Sequence, residues 1–254
     1  MCIDCGCSPP DHHHDHDHGH PHSHDHHHDH DHGHDHKTVR IGEDLLAKNN
    51  RLAGNNRTLF AGKGLFVLNL VSSPGSGKTT LLERTLTELG GRLGCLVLEG
   101  DQQTSNDADR IAATGVPVRQ INTGAGCHLD AHMVGHGIED FDLDAAQILF
   151  IENVGNLVCP ASFDLGEDHK IAVLSVTEGE DKPLKYPQMF RAADVLIINK
   201  TDLLPHLDFD LEACRRFALQ VNPQLTVFEI SCRSGEGLAD WYGWLSAEVA
   251  KKRS

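Results

Sequence analysis

A chain of 254 residues, 39% of them hydrophobic, is long enough for one α/β domain of ordinary size plus an appendage. The formal charge of −15 is unevenly spread, because the first 36 residues hold eight Asp and no Lys, Arg or Glu, leaving the rest only moderately acidic. That balance argues against a nucleic-acid backbone as partner, which needs clustered Lys and Arg, and leaves open a small anionic nucleotide held by backbone amides.

The longest apolar run, Leu65 to Val71, is broken by Asn69 and falls far short of the ~20 residues that span a bilayer. The N-terminus has neither the basic n-region nor the apolar h-region of a signal peptide. A cytoplasmic protein with no membrane partner is expected, its eight cysteines reduced and several of them metal ligands.

In chain order, Cys2, Cys5 and Cys7 come first. Three thiolates within six residues can wrap a soft or borderline divalent ion without a folded scaffold. A redox or disulfide pair is the other reading. Fifteen of the 20 histidines follow, between His12 and His36, interleaved with Asp. Imidazole suits Ni, Zn and Cu alike, so the tract implies capacity rather than selectivity, and its composition predicts a disordered tail over 1–37. Ile41, Leu45, Leu46 and Leu52 then predict an amphipathic helix over 38–60 leading into a main domain at 61–254.

Within that domain short apolar runs alternate with helical stretches. Strands are predicted at Leu65–Val71, Leu93–Leu98, Val116–Ile121, Gln147–Ile151, Ile171–Val176, Val195–Ile198 and Thr226–Ile230. Helices are predicted at Thr79–Leu89, Ser105–Ala113, Pro183–Ala192, Leu211–Val221 and Gly237–Ala250. The alternation predicts an α/β fold, a mostly parallel sheet with helices on both faces, since parallel strands need crossover connections. Ligands then gather at the carboxyl ends of the strands.

Ser72-Ser73-Pro74-Gly75-Ser76-Gly77-Lys78-Thr79-Thr80 follows the first strand and opens a helix, the context of a P-loop. There the amides of Gly75, Ser76, Gly77 and Thr80 approach phosphate oxygens, Lys78 reaches the β and γ phosphates, and the Thr79 hydroxyl meets Mg²⁺. Ser72 stands where the pattern usually has its first glycine. Asn199-Lys200-Thr201-Asp202 after a later strand matches the guanine-specificity motif, whose carboxylate accepts from two donors that adenine lacks. Ser231 and Cys232 are expected under the guanine. Asp101 is expected to reach Mg²⁺ or orient the attacking water, and Glu152 and Gly155 to face the γ phosphate; for both carboxylates a plain strand terminus is the alternative.

Cys127, His128 and Cys159 also fall near strand ends and form a second candidate metal site, whereas Cys95 and Cys214 read as small buried hydrophobes. His132 and His136 continue from His128 at helical spacing.

The N-terminal Cys-x-x-Cys-Gly-Cys, the His tract, the stretch from Asn69 through the P-loop, Glu99-Gly100-Asp101, Thr123 to His128, and Glu152 to Pro160 together resemble the HypB family across essentially the whole chain. The resemblance implies a SIMIBI-class GTPase that hydrolyses GTP and delivers nickel to the large-subunit precursor of nickel–iron hydrogenase, working with a HypA-like nickel chaperone and dimerising with nucleotide or metal. It further implies a tight nickel site at Cys2, Cys5 and Cys7 and a Ni²⁺ or Zn²⁺ site at Cys127, His128 and Cys159. The urease-maturation UreG family is the rival, but it carries Cys-Pro-His where Cys159 is followed by Pro160-Ala161. A nickel-storage protein is the alternative from another class.

Overall fold

The computed structural model describes residues 33–101, 106–124 and 126–254, with side chains from residue 43 onward. Cys2, Cys5, Cys7 and the histidines through His32 lie outside the described residues. Seven strands form one parallel sheet in the order β3-β2-β4-β1-β5-β6-β7. They are β1 (Phe66–Ser72), β2 (Cys95–Asp101), β3 (Val118–Asn122), β4 (Ile148–Gly155), β5 (His169–Ser175), β6 (Val195–Asn199) and β7 (Thr226–Glu229). All seven expected strands are present, with no end shifted by more than four residues.

β1 lies between β4 and β5, and every residue from Phe66 to Ser72 is buried, as helices on both faces require. Phe66, Leu68 and Leu70 face helices α2 (Lys78–Leu89) and α8 (Leu238–Lys252), whose Leu81, Leu82, Leu86, Trp241 and Leu245 complete that half of the core. Successive strand residues point to opposite faces. Val67 therefore joins the other half beside Phe60, Leu98, Leu129 and Val134, and Val71 packs with Phe190 and Leu196.

Helix α1 spans Gly33–Gly62, so it begins inside the histidine tract and includes the last residues of the expected tail. The expected helix at Pro183–Ala192 is two, α5 (Lys182–Lys185) and α6 (Pro187–Ala192). Pro187 supplies no N–H and disfavours the helical region for the residue before it. Tyr186 accordingly adopts φ −123°, ψ 53°. Helix α3 (Asn106–Ala112) and α7 (Leu211–Val221) lie as expected, whereas α4 (Ala131–Gly137) was not drawn.

Helix α1 is fastened by polar groups. Asn49 Nδ2 donates to Asp164 O at 2.8 Å while its Oδ1 accepts from Ala131 N at 2.9 Å. Asn56 Nδ2 donates to both Ala131 O (2.8 Å) and Leu165 O (3.1 Å). Both side chains are buried, so each satisfies backbone groups that would otherwise lose their partners away from water. Arg57 adds a two-oxygen ion pair to Asp164 near the surface. Asn56→Ala should remove two buried hydrogen bonds and cost about 1–3 kcal/mol, a fall in Tm of about 2–12 °C by thermal melting; an unchanged Tm would remove Asn56 as the fastener.

Candidate nucleotide and metal sites

The loop after β1 turns through two left-handed glycines, Gly75 (φ 77°) and Gly77 (φ 94°). At Gly77 a Cβ would also lie 2.5 Å from Asn199 Nδ2, so glycine is required twice over. Ser72 fits where a glycine is usual because it is the last residue of β1, paired with Gly155 and Val173, with its hydroxyl on Ser73 O. Lys78 Nζ lies 3.3 Å from Glu152 Oε1, and the Thr79 hydroxyl donates to that same oxygen at 2.6 Å. The Thr80 hydroxyl instead accepts from Arg110 of α3. Gly155 passes so near the loop that a Cβ there would lie 3.1 Å from Pro74 Cα.

Parallel register sets Glu99 beside Glu152. Both are buried, and Glu99 Oε2 and Glu152 Oε2 have no hydrogen-bond partner among the described residues. Burial, and then the neighbouring Glu152 carboxylate, push the Glu99 carboxyl up to about 8. Sequence reasoning chose Asp101 and passed over Glu99; the signal was its same-face position two residues before Asp101. Asp101 itself is half-buried at the end of β2, where its carbonyl accepts from Thr123 N.

The other end of the groove follows β6. Asn199 Nδ2 donates to Ser76 O, and Asn199 Oδ1 accepts from Lys200 N and Cys232 N, locking the loop after β6 to the P-loop and to the loop after β7. Lys200 is the one non-glycine residue with positive φ (66°) among the described residues, and its Nζ donates to Gly75 O at 2.6 Å. The Ser231 hydroxyl donates to Asp202 Oδ1 at 2.6 Å, fixing that carboxylate's direction.

On the face away from Glu152, the ligand atoms of Cys127, His128 and Cys159 lie within 4.8 Å of one another. Cys127 Sγ is 2.7 Å from Cys159 Sγ, and Asn156 Nδ2 donates to the latter at 3.5 Å. Burial lowers the pKa of His128, favouring the neutral ring that ligation needs. Its ring packs on Phe163, centroids 3.9 Å apart. Burial pushes the Cys95 and Cys214 thiols up to about 12, so the thiolate form that binds metal is suppressed there.

Several groups that hold this cluster were not singled out from sequence. Lys170, buried, donates from Nζ to Pro160 O (2.8 Å) and Phe163 O (3.1 Å), tying down the turn that carries Cys159 and the ring against His128. Asn153 Oδ1 accepts from Leu129 N at 3.0 Å, and its Nδ2 donates to Asn69 Oδ1 in β1. Asn49 and Asn56 close the arrangement by gripping Ala131 on one ligand-bearing segment and Asp164 and Leu165 beyond the other. Each is a polar residue whose partner is far away in sequence, and only the fold brings them together.

The CobW/HypB/UreG nucleotide-binding domain matches residues 66–229. Hydrogenase maturation factor HypB of Azotobacter vinelandii is 63% identical over 212 residues, 84% of this chain and 70% of that protein. HypB of Escherichia coli K12 is 62% identical over 205 residues, 81% of this chain and 71% of that one. Among solved structures, HypB from Helicobacter pylori in complex with nickel superposes with a TM-score of 0.76 at 40% identity, covering 80% of this chain and 96% of the other. The signal recognition particle receptor FtsY from Elizabethkingia anophelis, 16% identical with a TM-score of 0.50 over 76% of this chain and 72% of its own, shares the fold. The glycine-bounded loop after β1, the Asn199–Asp202 turn and these matches place the chain in the HypB family of hydrogenase maturation factors, P-loop GTPases of the SIMIBI type.

Proposed function

We propose that this chain binds and hydrolyses GTP and uses the cycle to load and release nickel for nickel–iron hydrogenase maturation. The observation that carries the reading is the single strand β4, which brings Glu152 to Lys78 and Thr79 and leads through Asn156 to Cys159. The solved HypB from Helicobacter pylori in complex with nickel supports the choice of cargo.

In this reading the amides of Gly75, Ser76, Gly77 and Thr80 and the Lys78 ammonium offset the charge of the γ-phosphoryl group, while Gly155 contacts it by its N–H. Water attacks the γ phosphorus, the bond to the bridging oxygen breaks, and GDP and phosphate leave. Mg²⁺ fits the hard oxygens at this end, since Glu152 accepts from the Thr79 hydroxyl, its Oε2 and that of the neighbouring Glu99 are unpartnered, and Asp101 follows on β2. When bound it would neutralise charge on the phosphates, held by Thr79 with these carboxylates. Asp202, directed by Ser231, accepts from guanine, and Cys232 lies beneath the base.

Cys127, His128 and Cys159 hold Ni²⁺ or Zn²⁺, with the remaining position left to water or to a second copy in a homodimer. Cys2, Cys5 and Cys7 form a tight nickel site and the His12–His36 tract a store. A HypA-like chaperone and the hydrogenase large-subunit precursor are the partners, in the cytoplasm. No described helix is long and apolar enough to cross a membrane.

Lys78→Ala should lower GTP turnover by about 10²-fold or more, by analogy with losing one preorganised charge-stabilising donor; phosphate release at the parent rate would sink the assignment of the loop. Asp202→Asn should shift preference toward xanthine nucleotides, whose extra carbonyl accepts from the new amide. Competition binding that still favours GTP would take Asp202 out of the base pocket.

A further inference from the structure

Two segments that are far apart in the chain are carried to one point by the end of β4. Asn153 Oδ1 accepts from Leu129 N at 3.0 Å and so holds the segment of Cys127, while Asn156 Oδ1 accepts from Cys159 N and its Nδ2 donates to Cys159 Sγ at 3.5 Å. A tight turn leads into Cys127, with Thr123 Oγ1 donating to Gly126 O at 2.9 Å and Gly126 N donating to Thr123 O. Lys170 fixes the Pro160 and Phe163 carbonyls just beyond Cys159. Backbone anchors on both segments thereby place the two thiols 2.7 Å apart, Sγ to Sγ. Cys127 is half-buried and Cys159 buried, so a dissolved reagent meets Cys127 first. Burial pushes the thiols of Cys95 and Cys214 up to about 12 and that of Cys232 up to about 11, which leaves all three inert.

We infer that Cys127 and Cys159 form a redox-active pair, oxidised by a hydroperoxide to a disulfide and restored by a dithiol reductant. With hydrogen peroxide, the Cys127 sulfur attacks one oxygen, the O–O bond breaks, and Cys127 sulfenic acid and water form. The Cys159 sulfur then attacks the Cys127 sulfur, the S–O bond breaks, and a second water leaves with the Cys159 proton. Two electrons pass from the sulfurs to the peroxide, and thiol–disulfide exchange returns them from the reductant. Because Cys159 is already in place, the second step is intramolecular and outruns further oxidation of the sulfenic acid. It requires the sulfurs to close to ~2.0 Å, within reach of side-chain rotation. A disulfide offers no thiolate, so oxidation removes two of the ligands from the Cys127, His128 and Cys159 cluster. That consequence rests on the metal reading above, whereas the pair itself does not.

The test treats the full, reduced chain with limiting hydrogen peroxide, blocks the remaining thiols, and assigns every cysteine by peptide mass spectrometry. Peptides joined through Cys127 and Cys159 should dominate and should separate again on treatment with dithiothreitol, while Cys95, Cys214 and Cys232 stay reduced. In Cys159→Ser, dimedone should trap Cys127 as its sulfenic acid and no joined peptide should form, with the three buried thiols still unreactive as the sign that the variant is folded. Separate sulfinic acids at Cys127 and Cys159 would overturn the pair, as would preferential joining of either to Cys2, Cys5 or Cys7. So would finding both still reduced. Excess nickel added before the peroxide should slow the joining several-fold. Joining at an unchanged rate would uphold the pair and count against nickel at Cys127, His128 and Cys159, so the two readings fail separately.

Discussion

The arrangement depends on the alternation of side chains at the end of β4. Glu152 and Asn153 are neighbours on an extended strand, so they leave it on opposite faces. Glu152 meets Lys78 and Thr79 of the P-loop, and Asn153 meets Leu129 N and Asn69. A buried strand between two others cannot slip by one residue without exchanging every side chain between the faces. Register with β1 and β2 therefore fixes both contacts at once.

From that strand the influence runs a short way in both directions. Three residues beyond Asn153, Asn156 accepts from Val158 N and Cys159 N and donates to the Cys159 thiol. Beyond Cys159, Lys170 and the α1 asparagines hold the turn, while Ala131 ties the other ligand segment to the same helix. A displacement of the Glu152–Gly155 segment thus has a short route to the thiol, along the chain to Asn156 and from there through its hydrogen bonds. The same route makes any influence reciprocal, because a free energy of coupling between two bound species acts equally on each. Helix α1 is the element through which the histidine tract adjoins this framework.

Much of this was legible in the sequence because its signals are local. Apolar runs of strand length separated by helical stretches gave the parallel sheet, and Gly75-Ser76-Gly77-Lys78 directly after one of them marked the phosphate loop. Cys127, His128 and Cys159 were grouped by their places near strand ends and do converge. What escaped lacks a local signal. Helix α4 has the sequence Ala-His-Met-Val-Gly-His-Gly, whose two glycines and short apolar set mask its period, so only the Asp130 cap announces it. Glu99 acquires its raised pKa from burial and from a carboxylate on another strand. Pro187 was readable and should have divided the helix drawn across it.

The central claim is that nucleotide state and metal affinity are joined through β4. The most direct measurement is nickel titration of protein lacking residues 1–32, loaded with GDP or with a non-hydrolysable GTP analogue, with Cys159→Ala as the baseline for binding outside the thiolate cluster. The account predicts different nickel affinities in the two states, with the difference abolished by Cys159→Ala. Equal affinities in both states would contradict it.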